Sequence, residues 1–111
     1  MSNESRRFMR ILVFFDLPTL TVSDRREYHK FKRFLDRDGY SMLQLSVYVR
    51  LCNGEEAIQK HLNRIKRNLP PKGSVRFMKI TDRQYADMKV LLGEKKSFEK
   101  SMANDNIDVI I

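Results

Sequence analysis

The chain has 111 residues, 41% of them hydrophobic, and its 22 Lys and Arg residues against 14 Asp and Glu residues give a formal charge of +8. This length suits a single domain, the one cysteine excludes an internal disulfide, and two histidines without metal-ligand spacing exclude a zinc site. No apolar run is long enough to cross a bilayer, and the N-terminal residues lack a signal-peptide core, so we expect a cytoplasmic protein without a membrane partner.

The first predicted element is a strand at residues 9–16, which contains the apolar run ILVFF and ends in Asp16. Because alternate side chains of a strand point to opposite faces, a run that is apolar at every position indicates a strand covered on both faces. Pro18 cannot donate to a sheet and ends the pairing. The Asp16 carboxylate needs a cation, backbone N–H groups or water. Two interpretations stay open: a metal ligand, or an Asx turn into Leu17 and Pro18.

The second predicted element is a helix at residues 24–38, with Asp24 and Glu27 as its capping box and Gly39 at its C-terminal end. Its apolar face comprises Tyr28, Phe31, Phe34 and Leu35. Its opposite face is a basic stripe of Arg26, Lys30, Arg33 and Arg37. The helix therefore has an aromatic face for a core and a cationic face for solvent or a ligand.

Residues 40–52 alternate aliphatic and polar side chains, which by itself predicts one long strand. Asn53 with Glu56 makes a second capping box, and it opens a predicted helix at residues 54–68 that the two prolines at 70–71 terminate. The apolar seam of this helix consists of Ile58, Leu62, Ile65 and Leu69. Its basic stripe consists of Lys60, Arg64 and Arg67.

A further strand is predicted at residues 73–81, followed by a short helix that Thr81 and Gln84 cap. Residues 89–92 are typical of a brief edge strand. Residues 94–106 are polar and indicate a loop or a frayed helix, and the β-prone end at 107–111 is expected to add to a sheet edge. The predicted organisation is thus a domain at 1–93 with a linker and tail at 94–111.

The two basic stripes together hold seven Lys and Arg residues and no acidic residue. A helix face stabilised by salt bridges would contain acidic as well as basic side chains. Side by side on one layer, the stripes would follow a phosphate backbone, and nucleic acid is the polyanion that the charge favours. The alternative is a solvated face that binds nothing.

A sheet with helices on one side would leave its other side bare, yet apolar side chains are predicted on that side as well. Met78, Ile80 and one parity of the first strand belong to this set. A second copy of the sheet would cover them, so we expect a homodimer.

Several segments, taken together, resemble a known family. They are FFDLP after an apolar strand, DRDGY at the end of a basic helix, then MLQLSVYVR, and KGSVRFMKIT after a second helix. In this order and spacing, over residues 9–92, the chain resembles the small universal CRISPR adaptation protein, the dimeric partner of the spacer integrase. It is most similar to the version found beside type II-A systems.

The resemblance implies an α+β fold, a ferredoxin-like βαββαβ sandwich with an extra C-terminal strand that pairs with the partner protomer. Residues 40–52 would then form two short strands with a bend near 44–46, in a sheet that is antiparallel in part. Either residues 89–92 or residues 107–111 would supply the extra strand.

The resemblance also implies a function in CRISPR spacer acquisition. The homodimer would bridge two integrase dimers in a heterohexamer and bind duplex spacer-precursor DNA. Members of the family are described as magnesium-dependent endonucleases on RNA or double-stranded DNA, with the strand-end aspartate, here Asp16, as the catalytic and metal-binding residue. Because Mg²⁺ commonly takes one or two carboxylates from protein, one Asp16 per chain favours a site shared across the dimer axis.

Other reactive side chains have structural interpretations. Nothing in the sequence marks a base for Cys52, so it is expected to be a semi-buried strand-end residue. Ser46 and Tyr48 could contact a phosphate but lack a base, and His29 and His61 are expected to be structural or solvated. An RNA-recognition module, which binds RNA without catalysis, shares the strand and helix order but stacks bases on aromatic side chains. In such modules a Lys-Gly pair is followed by an aromatic residue. In this chain the Lys-Gly pair at 72–73 is followed by a serine, so this alternative ranks last.

Overall fold

The computed structural model describes residues 8–93 as one four-stranded sheet with its two long helices on one face. In chain order the elements are β1 (Phe8–Asp16), α1 (Val22–Arg37), β2 (Ser41–Gln44), β3 (Val47–Asn53), α2 (Glu55–Lys66), β4 (Ser74–Thr81) and α3 (Asp82–Ala86). The strand order is β2-β3-β1-β4, and all three pairings are antiparallel. The α+β class and the βαββαβ order are therefore confirmed. The predictions for the tail at 94–111 lie outside the described residues.

The core lies between the sheet and the helices. Ile11, Val13 and Phe15 of β1 share one face of the strand and are at most 6% exposed. They pack in one cluster with the apolar face of α1, where the Phe15 and Phe31 rings meet edge to face at a centroid distance of 5.3 Å. The predicted core face of α1 is thus confirmed, with Phe31, Phe34 and Leu35 buried.

The opposite side of the sheet, which we call the open face, is apolar in its centre. In the strand registers Leu12 lies between Val49 and Met78, and the next row places Leu51 and Ile80 on either side of Arg10. Leu51 is 44% exposed and Met78 is 43% exposed. The prediction that this side is apolar and lacks a helix layer is confirmed for residues 8–93.

The stretch 40–52 forms two strands, so the prediction of one long strand is wrong and the predicted bend is confirmed. The chain turns at Ser46, which adopts a left-handed backbone conformation with φ 64°. Its carbonyl oxygen accepts a hydrogen bond of 3.0 Å from the backbone N–H of Phe15. This bond ties the hairpin turn to the end of β1.

Both predicted helix starts need correction. The N-cap of α1 is Thr21: its hydroxyl accepts from the backbone N–H of Asp24, whose carboxylate accepts from the N–H of Thr21. The capping box therefore lies three residues before the predicted one. At α2 the N-cap is Gly54, which has no side chain to cap with, so the predicted Asn53 box does not form.

The other predicted element boundaries agree only in part with the structure. The capping box of Thr81 and Gln84 at α3 is confirmed. Gly39, with φ 92°, follows α1 as predicted. Of the predicted edge strand at 89–92, only Val90 makes an isolated bridge. Within the described part of the chain, no helix combines the length and apolarity that a membrane span requires.

A buried polar network joins the end of α1 to α2 and β3. Asp38 follows α1 directly and binds His61 Nδ1 at 2.9 Å and Arg64 Nη1 at 2.7 Å. Arg50 Nε donates to the other ring nitrogen of His61 at 3.1 Å. Because a guanidinium group can only donate, the ring proton of His61 lies on Nδ1 and faces Asp38. Burial by itself would raise the pKa of Asp38, but the hydrogen bonds from His61 and Arg64 outweigh it and lower this pKa.

We expect Asp38→Asn to destabilise the fold by about 2–4 kcal/mol, because it removes the carboxylate from a nearly buried His61. The pKa of Asp38 is lowered on folding from 3.8, so its stabilising effect is complete above that pH and is lost as the pH falls below it. Urea unfolding followed by circular dichroism should show a large difference from wild type at pH 7 and a smaller one at pH 3. Asp36→Asn, at an exposed carboxylate in the last turn of α1, is the control, and an equal loss of stability in both variants would contradict the network's role.

Candidate metal and nucleic-acid sites

Asp16 is the last residue of β1 and is exposed. In the β1–β4 register it lies opposite Ser74. Gly73, just before β4, has φ 99°, and a Cβ at this position would lie 2.6 Å from the carbonyl oxygen of Asp16. Only glycine tolerates both conditions, so Gly73 allows β4 to begin directly against the end of β1.

Within residues 8–93 the Asp16 carboxylate accepts no hydrogen bond and forms no ion pair. No backbone N–H group of residues 8–93 donates a hydrogen bond to this carboxylate, so the Asx-turn interpretation gains no support from the geometry. The carboxylate is available as a hard oxygen ligand.

The residues around Asp16 fit a divalent cation only in part. No group of three or more His, Cys, Asp or Glu side chains with metal-binding geometry occurs among residues 8–93. Mg²⁺ commonly keeps several waters and takes one or two carboxylates, so Asp16 fits as one ligand of such an ion. A second carboxylate would have to come from outside these residues, and the same residue of a second protomer is the candidate that the sequence predicted.

Two residues that the sequence reasoning did not single out lie beside Asp16. Ser74 faces it directly, and Arg76 faces Phe14, one step further along the same face of the sheet. Both Ser74 and Arg76 are exposed. We call Asp16, Ser74 and Arg76 the Asp16 corner. Only the strand register brings these three side chains together.

The predicted basic stripes lie on neighbouring helices. Lys30 of α1 and Arg67 after α2 line the same depression. Just after the C-terminal end of α1, Asp38 binds Arg64 of α2. The two helices therefore run side by side in opposite directions, and their outer surface forms a basic layer.

Six of the seven stripe residues are exposed and have no ion-pair partner among residues 8–93. These six are Arg26, Lys30, Arg33, Arg37, Lys60 and Arg67. Arg64 differs, because its guanidinium group is held by Asp38 at 2.7 Å and its side chain is 41% exposed. Six cations are thus free to contact phosphates, whereas the Arg64 side chain is held by its ion pair with Asp38.

The other polar candidates have structural positions. Cys52 is buried, and burial raises the pKa of its thiol, which disfavours the nucleophilic thiolate. Tyr48 is buried on the helix side of the sheet, and burial raises its pKa as well. His61 belongs to the Asp38 network, while His29 is exposed. On the open face of the third strand the side chains are those of Val47, Val49, Leu51 and Asn53, so the aromatic platform of an RNA-recognition module is missing there.

Comparison with known proteins gives a consistent result. The family model described as CRISPR associated protein Cas2 matches residues 9–88. A protein of Acidovorax ebreus named CRISPR-associated endoribonuclease Cas2 is 55% identical over 85 residues, covering 77% of this chain and 83% of that protein. Proteins of the same name from Ligilactobacillus salivarius and Flavobacterium psychrophilum are 44% identical over 87 residues and 43% identical over 89 residues, covering 78% and 80% of this chain and 86% and 77% of those proteins. The chain therefore belongs to the Cas2 family of CRISPR-associated proteins.

Proposed function

We propose that this chain acts in CRISPR spacer acquisition as a homodimer that bridges two integrase dimers and holds duplex spacer-precursor DNA. The six unpaired cations of the basic layer carry this proposal, since they lie on two adjacent antiparallel helices. Phosphate contacts of this kind position a duplex without reading its sequence. Such indifference suits a protein that must accept any incoming DNA.

The open face supports the dimer. Its apolar rows contain Leu51 and Met78, each more than two-fifths exposed. A contiguous apolar surface on a small domain marks an interaction site, and a two-fold axis would let the same face cover itself.

Metal-dependent phosphodiester hydrolysis is the second candidate activity, and the unpaired carboxylate of Asp16 favours it. The names of the relatives describe those proteins as endoribonucleases. A divalent cation bound here would polarise a phosphate oxygen and lower the pKa of a bound water. Asp16 would hold the cation, and the dimer would supply a second copy of Asp16. The substrate is RNA or double-stranded DNA.

Reversing two charges of the basic layer should weaken duplex DNA binding. In Lys30→Glu/Arg33→Glu we expect affinity to fall about tenfold or more, and the salt dependence to flatten by about 0.9 in slope for each phosphate that the variant no longer neutralises. Fluorescence anisotropy at several salt concentrations measures both quantities. Arg83→Glu/Lys89→Glu makes the same charge change at exposed residues outside the two stripes. Equal losses of affinity in the two variants would show that binding depends on net charge and not on the position of the basic layer.

Asp16→Asn should abolish Mg²⁺-dependent cleavage, with a loss of about 100-fold or more, because the amide is a poor ligand for a hard cation. Its melting temperature should stay unchanged, since Asp16 is exposed and unpaired. Cleavage of RNA and duplex DNA and spacer integration with the co-purified integrase are measured side by side, with Asp87→Asn as control. Normal integration without cleavage is the expected result for a bridging role. Loss of integration in a correctly dimerised variant would contradict it.

Met78→Asp should shift the dimer toward monomer, because it places a charge opposite Leu12 in the apolar centre of the open face. Sedimentation velocity over a concentration series reports the change. Leu20→Asp is the control, since Leu20 is 87% exposed in the loop between β1 and α1. If both variants dimerise like the wild type, the open face is not the interface.

A further inference from the structure

The open face carries charged side chains only at its two ends, as far as the four described strands show. At one end, Arg10 Nε is 2.7 Å from the carboxylate of Asp82, and its guanidinium lies 4.5 Å from the centre of the Tyr85 ring. At the other end, Asp16 and Arg76 have no ion-pair partner among residues 8–93. The first end is thus neutralised within the fold, and the second end is open to a ligand.

Asp16 and Arg76 are diagonal neighbours on this face, because Asp16 pairs with Ser74 and Arg76 follows two residues later in β4. Diagonal neighbours in a sheet lie about 7–8 Å apart, which a long side chain can span. Both side chains are exposed, yet no salt bridge joins them. The guanidinium and the carboxylate are therefore each free to bind a separate group.

A phosphodiester is the group that fits this arrangement. A planar guanidinium matches two phosphate oxygens with two parallel hydrogen bonds, and the exposed hydroxyl of Ser74 adds a donor in the same corner. A carboxylate alone would repel a phosphate. The positive charge of Arg76 opposes that repulsion on the side where β4 forms the edge of the sheet.

We propose that Arg76 binds a phosphodiester group of a nucleic-acid strand and so determines which phosphate lies beside Asp16. This inference rests on the proposed endonuclease function, because it requires a strand to reach Asp16. Arg76 is then a substrate-binding residue whose contribution does not depend on a metal ion.

The test is binding without metal, measured by fluorescence anisotropy in EDTA with a short single-stranded RNA and a DNA duplex of the same length. Arg76→Gln should weaken binding of at least one probe about tenfold and reduce the salt slope by the equivalent of about one phosphate. Asp16→Asn should strengthen binding of the same probe, because it removes the repulsion. Arg83→Gln, the charge-matched control on α3, should bind like the wild type.

The two probes identify the source of the phosphate. Weaker binding of RNA alone assigns the corner to single strands, weaker binding of DNA alone assigns it to duplex ends, and weaker binding of both assigns it to the shared phosphodiester. Arg76→Lys, which keeps the charge but not the planar fork, should recover part of the affinity. It also serves as the second variant if the melting temperature of Arg76→Gln falls.

Wild-type affinity of Arg76→Gln for both probes, at an unchanged melting temperature, would overturn this inference. If Asp16→Asn loses cleavage while Arg76→Gln binds normally, only this inference fails. If the wild type does not cleave at all but Arg76→Gln weakens binding, the endonuclease proposal fails and the phosphate contact stands.

Discussion

Strand β1 has apolar side chains on both of its faces, whereas α1 and α2 cover only one of them. This constraint shapes the rest of the described structure. On the covered side, Ile11, Val13 and Phe15 form the core with the two helices. On the open face, Leu12 is protected by its neighbours in β3 and β4, but the surrounding row stays partly exposed. The outer surface of the helix layer consists of polar residues, and the open face keeps exposed apolar side chains such as Leu51 and Met78.

The Asp38 network fixes how the two helices meet, and with them the basic layer. Asp38 follows α1 directly, and both of its partners, His61 and Arg64, lie on α2, so one carboxylate ties the end of one helix to the middle of the next. Arg50 adds a tie to the sheet. The network stabilises the fold and at the same time withdraws one cation from the surface. The ion pair between Asp38 and Arg64 therefore affects both the stability of the fold and the charge of the basic layer.

Periodicity predicted the faces of the helices, because burial depends on the spacing of apolar residues along one element. Local chemistry was harder to predict: Thr21, Asp24 and the residues after them contain two overlapping capping boxes, and only the structure shows that the first one forms. The turn at Ser46 does not interrupt the alternation, since the chain bends without changing its polar pattern. Asp16 was found from its place at a strand end. Arg76 was not, because its closeness to Asp16 depends on a register between distant segments.

The basic layer and the Asp16 corner lie on opposite sides of the sheet. A straight duplex lying on the helix layer is separated from the open face by the sheet itself, so its phosphates cannot reach Arg76 of the same protomer. In a dimer that joins two open faces, the basic layers would point outward, and a cation shared by both copies of Asp16 would require the two corners to meet at the interface. Holding a duplex and binding a strand beside Asp16 would then be separate events on one molecule. Under the proposed function, this separation would keep a duplex held on the outer surface away from the Asp16 carboxylate of the protomer that holds it.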